Sequence, residues 1–256
     1  MNHSQGSPGD KAKTGIGERF QQETKYDPNT MAGHALDWSR QPKPYKNYKA
    51  SLSTIPLPEP DLTGDPNLWR ILASRRSMRE FDAERPLSAG KLSALLWATQ
   101  GVTARYGDAL LRTAPSAGGL YPVETYLFVR AVEGFEPGIY HFRPHTFDLE
   151  FLKKGDIARE VTKAALGQTM VMTSQLTFIW TAIVERSRWK YCQRAYRYLY
   201  LDAGHIGENL YLAAGAYDLA VCAVGAFFDD EVNGIIGVDG IDETVIYLAA
   251  VGWPHA

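Results

Sequence analysis

Cysteine is scarce: the chain of 256 residues has two, Cys192 and Cys222, with no Cys or His nearby at metal-ligand spacing. That argues against a disulfide framework and for a reducing compartment. An excess of charge of either sign is also missing. The formal net charge is -2, so nothing global favours nucleic acid or an acidic membrane surface as a partner. No stretch supplies about 18 apolar residues in a row, as a membrane-spanning helix needs. The opening MNHSQGSPGDKAKTGIGERF lacks the apolar run of a secretory signal. A soluble, cytoplasmic protein is the expectation. Familiar short signatures are absent as well: no G-x-G-x-x-G after a strand, no P-loop, no H-E-x-x-H and no C-x-x-C. Gly234, Gly237 and Gly240 fall three apart late in the chain, where a turn explains them. His141 and His145 lie four apart in a predicted hairpin, about 13 Å along a strand, so no shared metal is expected. Ser116 sits in PSAGG, without the leading Gly of a nucleophile elbow, which disfavours a hydrolase.

What is present is an ordinary globular composition, 45% hydrophobic and 22% charged, in a chain long enough to bury a sizeable core. Residues 1–60 differ from the rest. They are polar and Pro-rich, and the alternation of Pro56, Pro58 and Pro60 favours extended backbone. Trp38, Tyr45, Tyr48 and the apolar residues of 52–57 predict a partly ordered N-terminal arm, with the domain proper at 61–256. Asp65-Pro66 reads as a helix start, followed by an apolar face of Leu68, Trp69, Ile71 and Leu72. A helix is predicted from Ser88 to Gly101, a strand in ETYLFVRAV, a hairpin in GIYHFRP and TFDLEFLKKG, and a short helix from Asp156 to Gly167. Residues 176–184 are continuously apolar and β-branched, a buried strand. One long helix of roughly 45 Å is predicted over 188–220, then a short helix in DDEVNGIIG and a last strand, VIYLAAVG. Helices between a hairpin and single strands predict an α+β domain with a mixed sheet.

Three segments carry chemistry. In RRSMREF, Arg75, Arg76 and Arg79 stand within five residues around Ser77. They are either cations at a helix C-terminus or a seat for phosphate, whose oxygens take paired hydrogen bonds from guanidinium. In the loop Pro115, Ser116, Ala117, Gly118, Gly119, the diglycine permits positive φ and close approach to a flat or anionic ligand, or simply a tight turn. At the start of the long helix, Lys190, Arg194 and Arg197 fall on one stripe at i, i+4, i+7, where they repel unless an anion or an acid such as Asp202 relieves them. A solvated face is the alternative.

Taken in order, RRSMREF, APSAGGLYPVETY, RWKYCQRAYRYLYLDAGHIGENLYLAA and VGAFFDDEVNGIIGVDG resemble the nitroreductase superfamily, and within it the SagB/ThcOx-type dehydrogenase branch. They span most of 66–252, and the DW and LPEP of the arm resemble that branch too. The resemblance implies a nitroreductase-like mixed β-sheet flanked by helices, with FMN at a homodimer interface. It implies that Arg75, Arg76, Ser77 and Arg79 hold the ribityl phosphate and pyrimidine edge. Pro115 through Gly119 match the loop that reaches the flavin held mainly by the other subunit. Val224, Gly225 and Ala226 match the backbone beside flavin N5. Lys190-Tyr191 matches the Lys-Tyr pair of azoline dehydrogenases, which oxidise thiazolines and oxazolines in peptides. The implied activity is FMN-dependent hydride transfer on an azoline-like heterocycle, carried by a small molecule or a peptide. Two other functions stay open: a general NAD(P)H-dependent reductase of nitro or quinone compounds, and a non-catalytic flavin-binding or scaffold subunit of a peptide-modifying complex. The chain departs from the pattern in two places. It ends VGWPHA, with Trp253 where relatives carry a phosphate-binding Arg, and it places Tyr217-Asp218 where Gly-Leu is usual.

Overall fold

The computed structural model describes residues 15–26, 35–65, 67–107 and 109–255, and contacts divide the chain between Leu36 and Asp37. The first unit contains α1 (Ile16–Glu23). Residues 1–14 and 27–34 of the predicted arm lie outside the described residues.

In the second unit the proline spacing of the arm has its expected effect on the backbone. Ser53–Pro56 is extended and forms β1, an edge strand on which Ser53 stands opposite Phe151. An edge position tolerates Pro56, which has no N–H to give to a ladder. Helix α2 (Leu68–Ser74) starts two residues later than predicted. Its cap is Asn67, which accepts the Arg70 N–H at 3.0 Å; Asp65 in turn accepts the Asn67 N–H, and Pro66 lies outside the described residues. Only Ile71 of the expected apolar face is buried, and Trp69 is 79% exposed.

The remaining elements are α3 (Ala89–Gln100), β2 (Val102–Tyr106), β3 (Ala109–Arg112), β4 (Val123–Val129), β5 (Gly138–Arg143), β6 (Asp148–Lys154) and α4 (Ala158–Ala164). They are followed by α5 (Met170–Thr173), β7 (Leu176–Ile183), α6 (Val184–Tyr191), α7 (Ala195–Ala216), β8 (Ala220–Val224), α8 (Asp229–Ile236) and β9 (Glu243–Gly252). Seven strands make one sheet in the order β1-β6-β5-β4-β7-β9-β8. Every ladder in it is antiparallel; parallel pairing enters through isolated bridges at Ser77–Val221 and Leu87–Val132.

Both faces of the sheet are covered, which is why its central strands are apolar without alternation. Leu127, Phe178 and Trp180 pack with Leu92, Leu95 and Leu96 of α3 and Leu210 of α7. From the same strands Tyr126, Phe128 and Ile179 point the other way, onto Val161 of α4 and Val232 and Ile236 of α8. Each such side chain, fully buried, contributes roughly 1.5–3 kcal/mol.

The single helix predicted over 188–220 is two helices. Cys192 takes φ 47 and ψ -132, a 3-10 turn covers Cys192–Arg194, and α7 resumes at Ala195. No Gly or Pro lies between Arg188 and Ala195, so the residue types do not reveal the break. The break dissolves the stripe of Lys190, Arg194 and Arg197, because Lys190 belongs to a different helix from Arg197.

Candidate functional site

Helix α2 stops at Ser74, and the arginine-rich turn that follows runs beside the outer strand β8. Ser77 bridges Val221, and the Met78 N–H donates to Val221 O at 3.0 Å. The Ser77 hydroxyl lies 2.9 Å from the Tyr211 hydroxyl of α7, which also accepts the Ala223 N–H. The Arg75 guanidinium sits 5.2 Å from the centre of the Tyr211 ring. Arg76 folds back, donating to the carbonyls of Arg75 at 2.7 Å and Ala73 at 3.3 Å, as a cation at a helix C-terminus does. Burial pushes the Cys222 thiol up, and the charge of Arg79 partly offsets this. A cavity of about 250 Å³ is lined by Arg75, Arg76, Tyr211 and Val221. Strand β8 then runs into Val224, Gly225 and Ala226; Val224 is buried, while Gly225 and Ala226 are exposed and a side chain at Gly225 would meet open space. The arginine-rich turn and the segment Val224, Gly225 and Ala226 therefore share one edge of the sheet.

The diglycine loop is built elsewhere. Ser116 Oγ donates to Asp202 Oδ2 at 2.5 Å, the Ala117 N–H donates to Asp202 Oδ1 at 3.2 Å, and the Tyr121 N–H closes the turn on Ser116 Oγ. Burial raises the pKa of Asp202, and these two hydrogen bonds oppose the rise. Asp202 thus anchors the loop, a role its position in the supposed cationic stripe did not suggest. Gly118 and Gly119 adopt φ 64 and 67, the left-handed region. Gly118 is constrained twice, because a β-carbon there would collide with the Tyr191 hydroxyl and lie 2.8 Å from Lys190 Nζ. Adjacent residues of a regular helix point about 100° apart. Lys190 and Tyr191 nevertheless converge on one glycine, because α6 ends between them and the irregular Cys192. The Tyr191 ring is steadied by Tyr198, edge to face at 4.8 Å.

Trp253 and Asp218, both singled out in the sequence, have local explanations. Trp253 donates its indole N–H to Pro86 O, and the Arg85 guanidinium lies 3.3 Å from the centre of its ring. Asp218 supplies the left-handed residue, φ 55, between α7 and β8, a conformation a short Asp side chain tolerates.

A buried ionic network lies under the arm, and sequence reasoning missed it. His141, fully buried, places Nδ1 2.8 Å from Glu150 and Nε2 3.0 Å from Glu124. Burial opposes charging the ring, but the hydrogen bonds to Glu124 and Glu150 outweigh it and the pKa is raised. Arg186 Nη1 reaches Glu124 at 2.5 Å, and its Nε donates to Lys43 O. The available signal was an acid or histidine inside each of three apolar strands, Glu124, His141 and Glu150: His141 stands opposite Glu150 on one side and opposite Tyr126, two residues from Glu124, on the other. His145 stacks on Tyr45 instead, and among the described residues no cluster of His, Cys, Asp or Glu is arranged to hold a metal. No helix of the described residues is long and apolar enough to cross a membrane.

Residues 72–253, more than two thirds of the chain, match the Nitroreductase family. A protein of Methanocaldococcus jannaschii named as a nitroreductase is 35% identical over 199 residues, 78% of this chain and 96% of the relative. The crystal structure of an Anabaena variabilis protein, likewise named a nitroreductase, superposes with TM-score 0.76 at 33% identity, covering 92% of this chain and 46% of that one. The trifolitoxin-processing protein TfxB of Rhizobium leguminosarum is 29% identical over 145 residues, 55% of this chain. The chain spans less than half the length of the last two, 46% and 39%.

Proposed function

The chain belongs to the nitroreductase family, a family of oxidoreductases, and from that premise we propose that it is an FMN-dependent dehydrogenase of the SagB type working as a homodimer. The residues fit a flat, phosphate-bearing cofactor. Arg75 and Arg76 line the cavity, Arg76 folded onto the helix end, and the Ser77 hydroxyl bonds to Tyr211 of the same lining, with Arg79 following in the same turn. They would hold the phosphate and the pyrimidine edge, with Val224 and the exposed Gly225 and Ala226 against the ring. Bound there, FMN supplies hydride transfer at N5, chemistry the protein orients and does not itself perform.

The position of the diglycine loop supports a dimer. Asp202 holds the loop and Tyr211 meets the arginine turn, and the two are nine residues apart on α7. That separation is about 14 Å along the axis and roughly 180° around it. Pro115, Ser116, Ala117, Gly118 and Gly119 therefore serve the ring held by the other protomer. Exposed apolar side chains supply a surface for such a partner: Leu68, Trp69, Leu72 and Met78 around α2, and Tyr200 and Leu201 on α7.

The observation that carries the dehydrogenase reading is the convergence of Lys190 Nζ and Tyr191 OH on Gly118. Removing hydride from a carbon next to a C–H proton needs a base for that proton, and a Lys with a neighbouring Tyr at the ligand-facing loop meets the need. The substrate class is an azoline-like heterocycle in a small molecule or peptide, supported by the likeness to a protein named for trifolitoxin processing. A general NAD(P)H-dependent nitro or quinone reductase is the second reading, favoured by the 35% identical relative named as a nitroreductase. Turnover by the purified protein separates them. A yellow dimer bleached by an azoline peptide, and not by NADPH, supports the dehydrogenase; bleaching by NADPH and recovery with a nitro compound supports the reductase. A colourless protein that co-purifies with a cyclase counts against both and points to the scaffold role.

A further inference from the structure

Strand β3 ends at Arg112, and the chain from Pro42 to Tyr45 passes nearby. Together with Leu110, Tyr121 and Gly119 they line a cavity of about 480 Å³. Gly119 belongs to the diglycine loop, so the cavity adjoins the place where Lys190 and Tyr191 meet.

Arg112 is 7% exposed. Its Nη1 donates to Gln100 Oε1 at 2.6 Å, its guanidinium lies 4.7 Å from the centre of the Tyr121 ring, and its backbone N–H donates to Tyr121 OH. These contacts fix the group without neutralising it. The buried Nε–H has no acceptor among the described residues, and none of their carboxylates lies within 4 Å of the guanidinium. Glu124 is close enough to attract it but is already held by Arg186 at 2.5 Å and His141 at 3.0 Å. Burial draws the pKa of Arg112 down to about 10, which leaves it cationic at neutral pH. A buried cation with an unmet N–H and no counter-ion is costly unless a ligand completes it.

We propose that this cavity binds a carboxylate against the guanidinium of Arg112, and that the carboxylate belongs to the substrate. The planar guanidinium edge matches a carboxylate with two parallel hydrogen bonds. Leu110, Pro44, Tyr45 and Tyr121 suit the organic body behind it better than they suit a strongly hydrated phosphate. A small carboxylic acid and the C-terminus of a peptide share this chemistry. That the group belongs to the substrate rests on the oxidoreductase reading; that a carboxylate binds does not.

The test is binding by the full-length protein as purified, measured calorimetrically with benzoate and hippurate and with their neutral amides, benzamide and hippuramide. The expected result is that an acid binds at least tenfold more tightly than its amide, and that Arg112→Gln erases the difference. Tighter binding of hippurate than of benzoate identifies a peptide terminus as the source; the reverse identifies a small acid. Equal binding of acid and amide by the wild-type protein, or no binding of either acid, overturns the proposal without any variant. So does an undiminished preference in Arg112→Gln. If that variant does not fold, the wild-type comparison decides. The visible spectrum of the same samples reads the flavin proposal separately: a colourless protein that prefers acids keeps the carboxylate site and loses the flavin, and a yellow one indifferent to acids does the opposite.

Discussion

Ser116 donates to Asp202 at 2.5 Å across 86 residues of sequence, tying the diglycine loop to the middle of α7. The Ala117 N–H uses the same carboxylate, so one buried acid fixes the loop's geometry. Hydrogen bonds to a charged group are worth roughly 1.5–3 kcal/mol each. Asp202→Ala leaves both donors without their acceptor, and a loss of about 3 kcal/mol is expected, with Asp202→Asn losing less because its amide oxygen still accepts. Chemical denaturation of the two variants measures this; equal stability of Asp202→Ala and wild type sinks the assignment.

Gly118 and Gly119 have nearly the same φ, yet their neighbourhoods differ, and substitution separates strain from collision. Alanine at Gly119 meets nothing within 4 Å, so it carries the backbone term alone, roughly 1–2 kcal/mol. Alanine at Gly118 adds contact with Tyr191 and Lys190, and must displace them. We expect Gly119→Ala to keep most activity and Gly118→Ala to lose at least tenfold. Matching turnover in the two variants would place Lys190 and Tyr191 outside the chemistry.

The ease of reading these features from sequence differed with their physical origin. Ser88 and Gly101 mark α3 because capping chemistry is local, and β7 is legible because burial on both faces leaves a continuous apolar run. The break at Cys192 left no trace, since no Gly or Pro marks it and the signal lies in one residue's φ. The exposure of Leu68, Trp69 and Leu72 escaped for a different reason: apolar periodicity says that a face will be covered, not whether this chain or another covers it. At the site, RRSMREF and PSAGG announced themselves by composition. Arg112 did not, because a single arginine in a hairpin looks ordinary until its burial and its unmet N–H are known.

The network around Glu124 makes stability depend on acid. Burial alone raises this carboxyl's pKa, but Arg186, then His141, outweigh it and hold the pKa at about 2, below the ordinary 4.5. A folded-state pKa below the unfolded one means that stability is present above pH 4.5 and is lost as pH falls towards 2. The size is on the order of 3 kcal/mol. His141 acts in the opposite direction: its raised pKa contributes stability below 6.5 that is lost as pH rises through the folded-state value. Thermal melts of wild type and Glu124→Gln should differ most near about pH 6 and converge as pH falls through the window where the carboxylate protonates. Parallel curves would show that Glu124 titrates with an ordinary pKa.

Trp253 carries no charge and its ring is covered by Arg85, so on the proposed reading the 75–79 turn would carry the phosphate charge. Removing Arg75 and Arg79 together deletes charge-assisted bonds worth roughly 1.5–3 kcal/mol each, a weakening of FMN binding by a hundredfold or more. The fold should survive. The turn is held by the Ser77–Val221 bridge and the Met78 N–H, backbone contacts that neither arginine makes. FMN titration of apoprotein, followed by flavin fluorescence, gives the affinity, and a thermal melt of the same sample gives the fold. An Arg75→Ala/Arg79→Ala protein that melts like wild type and still binds FMN with undiminished affinity would move the phosphate site away from this turn, and with it the placement of the ring beside Val224, Gly225 and Ala226.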